Sequence, residues 1–269
     1  MIKKNNQLTI AVATLEEVFD QTIERVSCLV PFAHLIVVVQ GMAQDEPIKV
    51  TETNGMRIIR DKAFGLSRSR NLALQQCDTD YLLLADDDQD FLLDGIQMLY
   101  DQFQEHPDMA CLVGQIVTPE GRDFKVYPPI SQLLNGRQLL GVSSIEMMLN
   151  VSVLKDQKVR FDEQFGLGAR YLVGEEGILL NDLRALKRST LFISVPIAQH
   201  PAVSSGETIE EQRVIGRGAS FARMFGWYGF FLLPVYAIRQ QRHYSDVKGV
   251  TYLRFFSWLI HGFFSFLYC

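Results

Sequence analysis

The stretch Tyr81-Leu82-Leu83-Leu84-Ala85-Asp86-Asp87-Asp88 joins an unbroken apolar run to three consecutive carboxylates. A run of that length bounded by polar residues is the pattern of a strand buried on both faces, as in a parallel sheet covered by helices. The carboxyl end of such a strand is where an open α/β sheet forms its ligand crevice. Unit charges about 4 Å apart repel by roughly 4 kcal/mol at an effective dielectric near 20, so three aspartates beside a core require a cation or a basic partner. Oxygen donors select a hard divalent ion such as magnesium, manganese or calcium. A second reading makes the cluster a solvated turn that caps the next helix, because Asp94, Ile96, Leu99 and Phe103 follow at helical spacing. An EF-hand is excluded, since counting from Asp86 puts Phe91 where the turn glycine belongs and Gln97 where the bidentate glutamate belongs.

Upstream of this junction, residues 8–14 (Leu-Thr-Ile-Ala-Val-Ala-Thr) read as a first strand, followed by a helix to about Val30 that Pro31 ends and a second strand over 34–39. That order is a βαβ unit. A further extended piece is expected over 56–60, and Ser67 is expected to cap a helix running to about Cys77, which delivers the chain to the acidic strand. The first 120 or so residues therefore read as a doubly wound parallel sheet. No GxGxxG follows the first strand, where Ala13-Thr14-Leu15 stand instead, and no GxxxxGK[ST] occurs, so the dinucleotide-dehydrogenase and P-loop readings lose their main support.

The chain has 269 residues, 48% hydrophobic and 21% charged, enough for a substantial core in one large or two small domains. A net charge of -5 argues against general nucleic-acid binding, because no basic surplus exists to neutralise phosphates. Cys28, Cys77, Cys111 and Cys269 lie far apart without CxxC spacing, which suits thiols in a reducing, cytoplasmic compartment. Lys3 and Lys4 precede an apolar run over 8–15 that is short and leads into Glu16-Glu17, so it reads as the first strand rather than an export signal.

Four separated stretches carry polar chemistry: Gly65-Leu66-Ser67-Arg68-Ser69-Arg70-Asn71; the acidic junction from Asp80 to Asp88; Phe165-Gly166-Leu167-Gly168 with Gly174-Glu175-Glu176; and His200 with Ser204-Ser205-Gly206. In this order and spacing they resemble glycosyltransferase family 2, the inverting enzymes of GT-A fold, over residues 8–206. The resemblance implies an α/β sheet flanked by helices, with residues 1–206 as catalytic domain, its nucleotide-sugar half over about 1–120 and its acceptor half over 121–206. It implies that Thr14, Gln40, Gly65, Arg68, Arg70, Asn71, Asp86 and Asp87 lie along the nucleotide-sugar donor, and that Asp88 with His200 holds Mn2+ or Mg2+. It also implies a carboxylate base, with Glu176 the first choice and Glu175 the second. Two departures stand out: Glu175-Glu176 replaces the Glu-Asp pair of many relatives, and Gln40-Gly41 stands where many carry an aspartate that contacts the nucleotide base.

The chemistry accounts for these residue types. A departing diphosphate develops charge that a metal can neutralise without proton transfer, and an attacking acceptor hydroxyl needs a general base opposite it. Arg70 is a candidate partner of the diphosphate, and Ser204-Ser205-Gly206 a flap beside it. The plainer reading of Glu175-Glu176 is a helix start, because Ile178, Leu179, Leu183 and Leu186 follow at helical spacing and early acids favour the helix dipole. For His200 it is a structural hydrogen bonder. Gly166, Gly168 and Gly174 allow the preceding loop to approach the sugar.

Beyond a boundary near residues 201–206 the composition changes. Residues 224–238 and 255–268 are apolar and aromatic, with Trp227 and Trp258, but each is shorter than the roughly 20 residues a spanning helix needs, and Pro234 interrupts the first. Arg239, Arg242, Lys248 and Arg254 lie between them. Residues 207–269 therefore read either as a segment lying on the inner face of the cell membrane or as helices packed on the catalytic domain or on a second subunit of a homo-oligomer. The function expected is metal-dependent, inverting transfer of a sugar from a nucleotide diphosphate sugar to a glycan or lipid-linked acceptor in surface polysaccharide biosynthesis. Two other classes are a non-catalytic glycan-binding or scaffolding protein and a metal-dependent phosphoryl-transfer or hydrolytic enzyme; the absent P-loop and the motif order weigh against the last.

Overall fold

A computed structural model describes residues 5–41, 48–201, 210–241 and 249–268. The stretch Ser204-Ser205-Gly206, with Arg242 and Lys248, lies outside them. Four parallel strands form one half of the sheet: β1 (Leu8–Leu15), β2 (His34–Gln40), β4 (Met56–Asp61) and β5 (Tyr81–Asp86). The edge is β3 (Ile48–Thr53), antiparallel to β4 across a tight Asn54-Gly55 turn. Both turn residues have positive φ, 49° and 77°, as a type I′ hairpin requires.

On the other side of β5 the sheet becomes mixed. After the two-residue β6 (Asp90–Phe91) come β7 (Cys111–Val117), the short β8 (Gln132–Leu133), β9 (Met147–Asn150) and β10 (Thr190–Gln199). The strand order is β3-β4-β2-β1-β5-β9-β7-β10-β6, with β8 beside β10. The expected doubly wound parallel half is therefore present, and β9 runs antiparallel between β5 and β7.

Alternate residues of β5 feed two cores. Leu83 and Ala85 join Ile10, Val12 and Val37 under α1 (Phe19–Val26) and α3 (Leu93–Glu105), where Ile96, Leu99 and Phe103 are buried. Leu82 and Leu84 join Ala11, Ile36 and Val38 against α2 (Leu66–Gln76) and α5 (Glu175–Ala185), through Leu72, Leu179 and Leu183; the short α4 (Val151–Asp156) closes the same side. This two-sided burial is why the strand carries no polar residue until its end.

Helix α2 begins at Leu66, one residue earlier than the expected Ser67 cap, and Gly65 precedes it with no side-chain cap. The Ser67 hydroxyl instead donates to the Phe165 carbonyl at 2.6 Å, a contact between segments distant in sequence.

Among the described residues the C-terminal region forms three helices, α6 (Glu211–Phe225), α7 (Tyr228–Arg239) and α8 (Tyr252–Leu267), around a core of Val214, Phe221, Leu233, Phe255, Leu259 and Phe263. Helices α6 and α8 cross at Gly218 and Gly262, where a Cβ would run into the backbone carbonyls of Leu259 and Ile215. The bundle is packed on the rest of the chain: the Phe266 ring lies 5.7 Å from Phe165, Tyr171 Oη is 3.0 Å from Ser265 Oγ, and Arg223 reaches Asp162 at 2.8 Å and Asp182 at 2.9 Å. The packing reading of this region therefore holds for its inner face. No helix among the described residues is long and apolar enough to cross a membrane.

Candidate active site

At the carboxyl end of β5 the chain turns through Asp87 and Asp88, and the buried Gln89 side chain accepts the Asp86 N–H at 3.2 Å. The turn then enters β6, whose Asp90 and Phe91 pair with Gln199 and Ala198. That pairing carries the end of β10 to the acidic turn, and the His200 N–H is fixed on the Val117 carbonyl at 2.9 Å. As a result His200 Nε2 lies 3.2 Å from Asp88 Oδ1.

His200 Nδ1 is 2.9 Å from the Pro201 carbonyl, which only accepts, so Nδ1 carries a hydrogen. Nε2 and Asp88 Oδ1 are therefore close enough to share a hydrogen bond or to serve together as ligands of one cation. Among the described residues no group of three or more His, Cys, Asp or Glu side chains gathers as a metal cage. One carboxylate oxygen and one imidazole nitrogen fit a manganese- or magnesium-type ion that takes its remaining ligands from water and phosphate oxygens, and do not fit a calcium cage.

The three aspartates are not equivalent. Asp87 Oδ2 accepts the Thr14 hydroxyl at 2.6 Å, and Thr14 Oγ1 is 2.8 Å from Thr22 Oγ1, so Asp87 is tied to the end of β1 and to α1. Burial pushes the Asp86 carboxyl above the usual carboxylate range; Asp88, Glu176 and Asp87 add to this, and Arg70 opposes it. The acidic turn, the α2 arginine and the first turn of α5 therefore all act on one carboxyl group. Asp88 is the outermost, with its side chain 63% exposed.

On the facing side Arg70, only 5% exposed, sends Nη1 to Glu175 Oε1 at 3.1 Å and to Glu176 Oε1 at 3.4 Å, and Nη2 to Ser144 Oγ at 2.5 Å. Ser144 lies in the turn closed by Glu146, a fully buried carboxylate that accepts from Tyr127 Oη at 2.6 Å, Lys125 Nζ at 2.7 Å and the N–H of the preceding Ser143 at 2.8 Å. Glu175 and Glu176 open α5 behind Gly174, whose φ of 112° is a conformation that glycine adopts freely. The two glutamates are placed differently. Glu175 is buried, and burial together with the Glu176 charge raises its carboxyl to about 7 against the pull of Arg70. Glu176 keeps 18% of its side chain exposed.

The remaining residues of the 65–71 stretch form a seam. Gln40 Oε1 accepts the Gly65 N–H at 2.8 Å, the Leu66 N–H donates to the Leu167 carbonyl at 2.9 Å, and Asn71 bonds the backbone of Phe161 in both directions at 2.9 Å. Arg68 pairs with Asp61 at 2.6 Å and lies 3.7 Å from Glu163. The structure thus gathers Thr14, Asp86, Asp87, Asp88, His200, Arg70, Glu175 and Glu176 in one hydrogen-bonded and electrostatic network, and spends Gln40, Gly65, Arg68 and Asn71 on holding the 161–168 loop against the sheet. Arg70 is bonded to the glutamates rather than free for a phosphate. Asp61, Ser144 and Glu146 were absent from the sequence reading; Asp61 carries a signal, since it ends β4 as Asp86 ends β5.

A mixed, mostly parallel sheet flanked by helices, with an acidic turn at the end of a central strand, is the fold of the GT-A glycosyltransferases. The family model for glycosyl transferase family 2 matches residues 9–152, more than half of the chain, and the chain belongs to that family. No curated protein sequence matches it. Among solved structures, S. aureus TarS 1-349 is similar with a TM-score of 0.55 at 17% identity, over 90% of this chain and 73% of that one. The same protein in complex with UDP-GlcNAc gives 0.57 at 13% identity, over 97% and 80% of the two chains. The mannosyltransferase PcManGT from Pyrobaculum calidifontis, in complex with GDP-Man and Mn2+, gives 0.55 at 10% identity, over 97% and 87%. At these identities the likeness is one of fold.

Proposed function

We propose that the protein transfers a sugar, with inversion, from a nucleotide diphosphate sugar to a glycan or lipid-linked acceptor in the assembly of a surface polysaccharide, working at the inner face of the cell membrane. The observation that carries this reading is the meeting of Asp88 with His200 at 3.2 Å and of Arg70 with Glu175 and Glu176, with Asp88, Arg70 and Glu176 all acting on the Asp86 carboxyl. UDP, UDP-GlcNAc and GDP-Man bound to structural neighbours support a nucleotide-sugar donor.

In this mechanism the donor lies across the end of β5. Asp88 and His200 would hold a Mn2+ or Mg2+ ion, which when bound supplies positive charge to the leaving diphosphate. Asp86 and Asp87 line the donor side, with Asp87 oriented by Thr14. An acceptor oxygen forms the new bond to the anomeric carbon as the bond from that carbon to the diphosphate oxygen breaks, and the electron pair leaves with the diphosphate. Glu176 takes the acceptor proton. Its partial exposure supports this assignment over Glu175, which is enclosed with Arg70. Arg70, whose Nη1 lies 3.4 Å from Glu176 Oε1, orients it.

The test is incubation with a panel of nucleotide sugars and acceptors in manganese, reading nucleoside diphosphate release and the anomeric configuration of the product by NMR. Manganese-dependent release with inversion is expected. Donor binding without release would instead identify a non-catalytic glycan-binding or scaffolding protein on the same fold.

A further inference from the structure

A second cavity, a groove of about 750 Å3, lies between the 136–141 turn and helices α6 and α7. Its walls include Leu140, Phe221, Leu232 and Tyr236, and among the described residues no acidic side chain lines it. Three arginines do: Arg137, Arg217 and Arg239. Arg57, Arg68, Arg70 and Arg223 are each paired with carboxylates, whereas these three make no ion pair and no side-chain hydrogen bond among the described residues. Three guanidinium groups around an apolar hollow, without a carboxylate partner among the described residues in a chain of net charge -5, are complementary to a ligand with an anionic head and an apolar body.

The position of the groove narrows the choice. Leu140 packs over Gly177, where an added Cβ would lie 3.2 Å from its Cδ2, and Gly177 follows Glu176. At the other end, Leu232 and Val235 belong both to the groove and to the exposed apolar surface of α7, on which Tyr228, Phe231 and Ile238 are also exposed. Tyr228, Phe231, Val235 and Ile238 recur at spacings that place them on one side of the helix. An apolar stripe of this kind with arginines beside it is the composition of a helix seated in a lipid headgroup layer.

We propose that this groove binds a lipid phosphate, its chain against Leu140, Phe221 and Tyr236 and its phosphate on Arg137, Arg217 and Arg239. The inference rests on the proposed transferase reading, within which the groove leads a lipid-linked acceptor from the bilayer to Glu176.

The probe is n-dodecyl phosphate below its micellar concentration, titrated calorimetrically into the full chain beside inorganic phosphate and n-dodecyl maltoside, with nucleoside diphosphate plus manganese measured on the same preparation. Saturable binding of dodecyl phosphate at least about tenfold tighter than either control is expected. The double variant Arg217→Gln/Arg239→Gln should lose about tenfold or more of that affinity and keep its nucleoside diphosphate binding. Arg137→Gln, in an exposed turn, should weaken it as well, and serves if the double variant fails to fold. Equal binding of dodecyl maltoside, or unchanged binding in folded variants, overturns the proposal. Nucleoside diphosphate binding with no dodecyl phosphate binding overturns the groove alone; dodecyl phosphate binding with no nucleoside diphosphate binding upholds the groove and counts against the transferase reading.

Discussion

Arg70 and Glu175 stand 105 residues apart in sequence and meet at 3.1 Å, joining the middle of α2 to the first turn of α5. The same guanidinium lies 3.4 Å from Glu176 and so holds both glutamates at the start of α5.

The Glu175 carboxyl is raised to about 7 chiefly by burial, so the folded protein holds its proton more tightly than the unfolded chain does. A proton bound preferentially by the folded state makes stability fall as pH rises, here from the ordinary carboxyl value of about 4.5 up to about 7. Glu175→Gln removes that slope. Melting temperatures taken from pH 4.5 to 8 should therefore show the variant gaining on the wild type as pH increases; a constant difference would contradict the assignment.

Removing Arg70 leaves two carboxylates without their buried counter-charge. Arg70→Ala is expected to cost about 3–5 kcal/mol, measured by denaturant unfolding. A loss below about 1 kcal/mol would mean that the pair is solvated and that the cleft wall is built differently.

Glu176→Gln keeps the shape of the side chain and removes the base. Transfer should fall by about 10²–10⁴-fold with donor affinity within twofold of wild type. If Glu175→Gln has that effect and Glu176→Gln does not, the roles of the two glutamates are exchanged.

The crossing of α6 and α8 leaves no space for a side chain at Gly262. Gly262→Val should destabilise the protein by about 1–3 kcal/mol and lower its melting temperature. Because α8 supports Phe165 and Tyr171 through Phe266, donor affinity should weaken as well; unchanged affinity would show that the bundle and the cleft are independent.

The parallel half of the fold was legible because each of its strands is buried on both faces and so carries an uninterrupted apolar run. Strand β3 was not read: it is a mostly exposed edge with polar residues, although Asn54-Gly55 announced its hairpin. The pieces β6 and β9 are defined by partners far along the chain, and two to four residues carry no periodicity of their own. In the site, the acidic turn, the glutamate pair and His200 were visible as residue types in order. The occupation of Arg70 by glutamates and the use of Ser67 on the Phe165 carbonyl were not, because both depend on contacts across about a hundred residues. The apolar C-terminal runs announced helices, and only packing shows that one face of them is covered while the outer face of α7 is exposed.

The most direct test of the account is the affinity for UDP and GDP with and without manganese, in wild type and in Asp88→Asn. Asp88 is exposed, so the variant should fold with stability within about 0.5 kcal/mol of wild type. The account predicts that manganese tightens nucleoside diphosphate binding in the wild type and has no effect in the variant. An equal manganese effect in both proteins would contradict it.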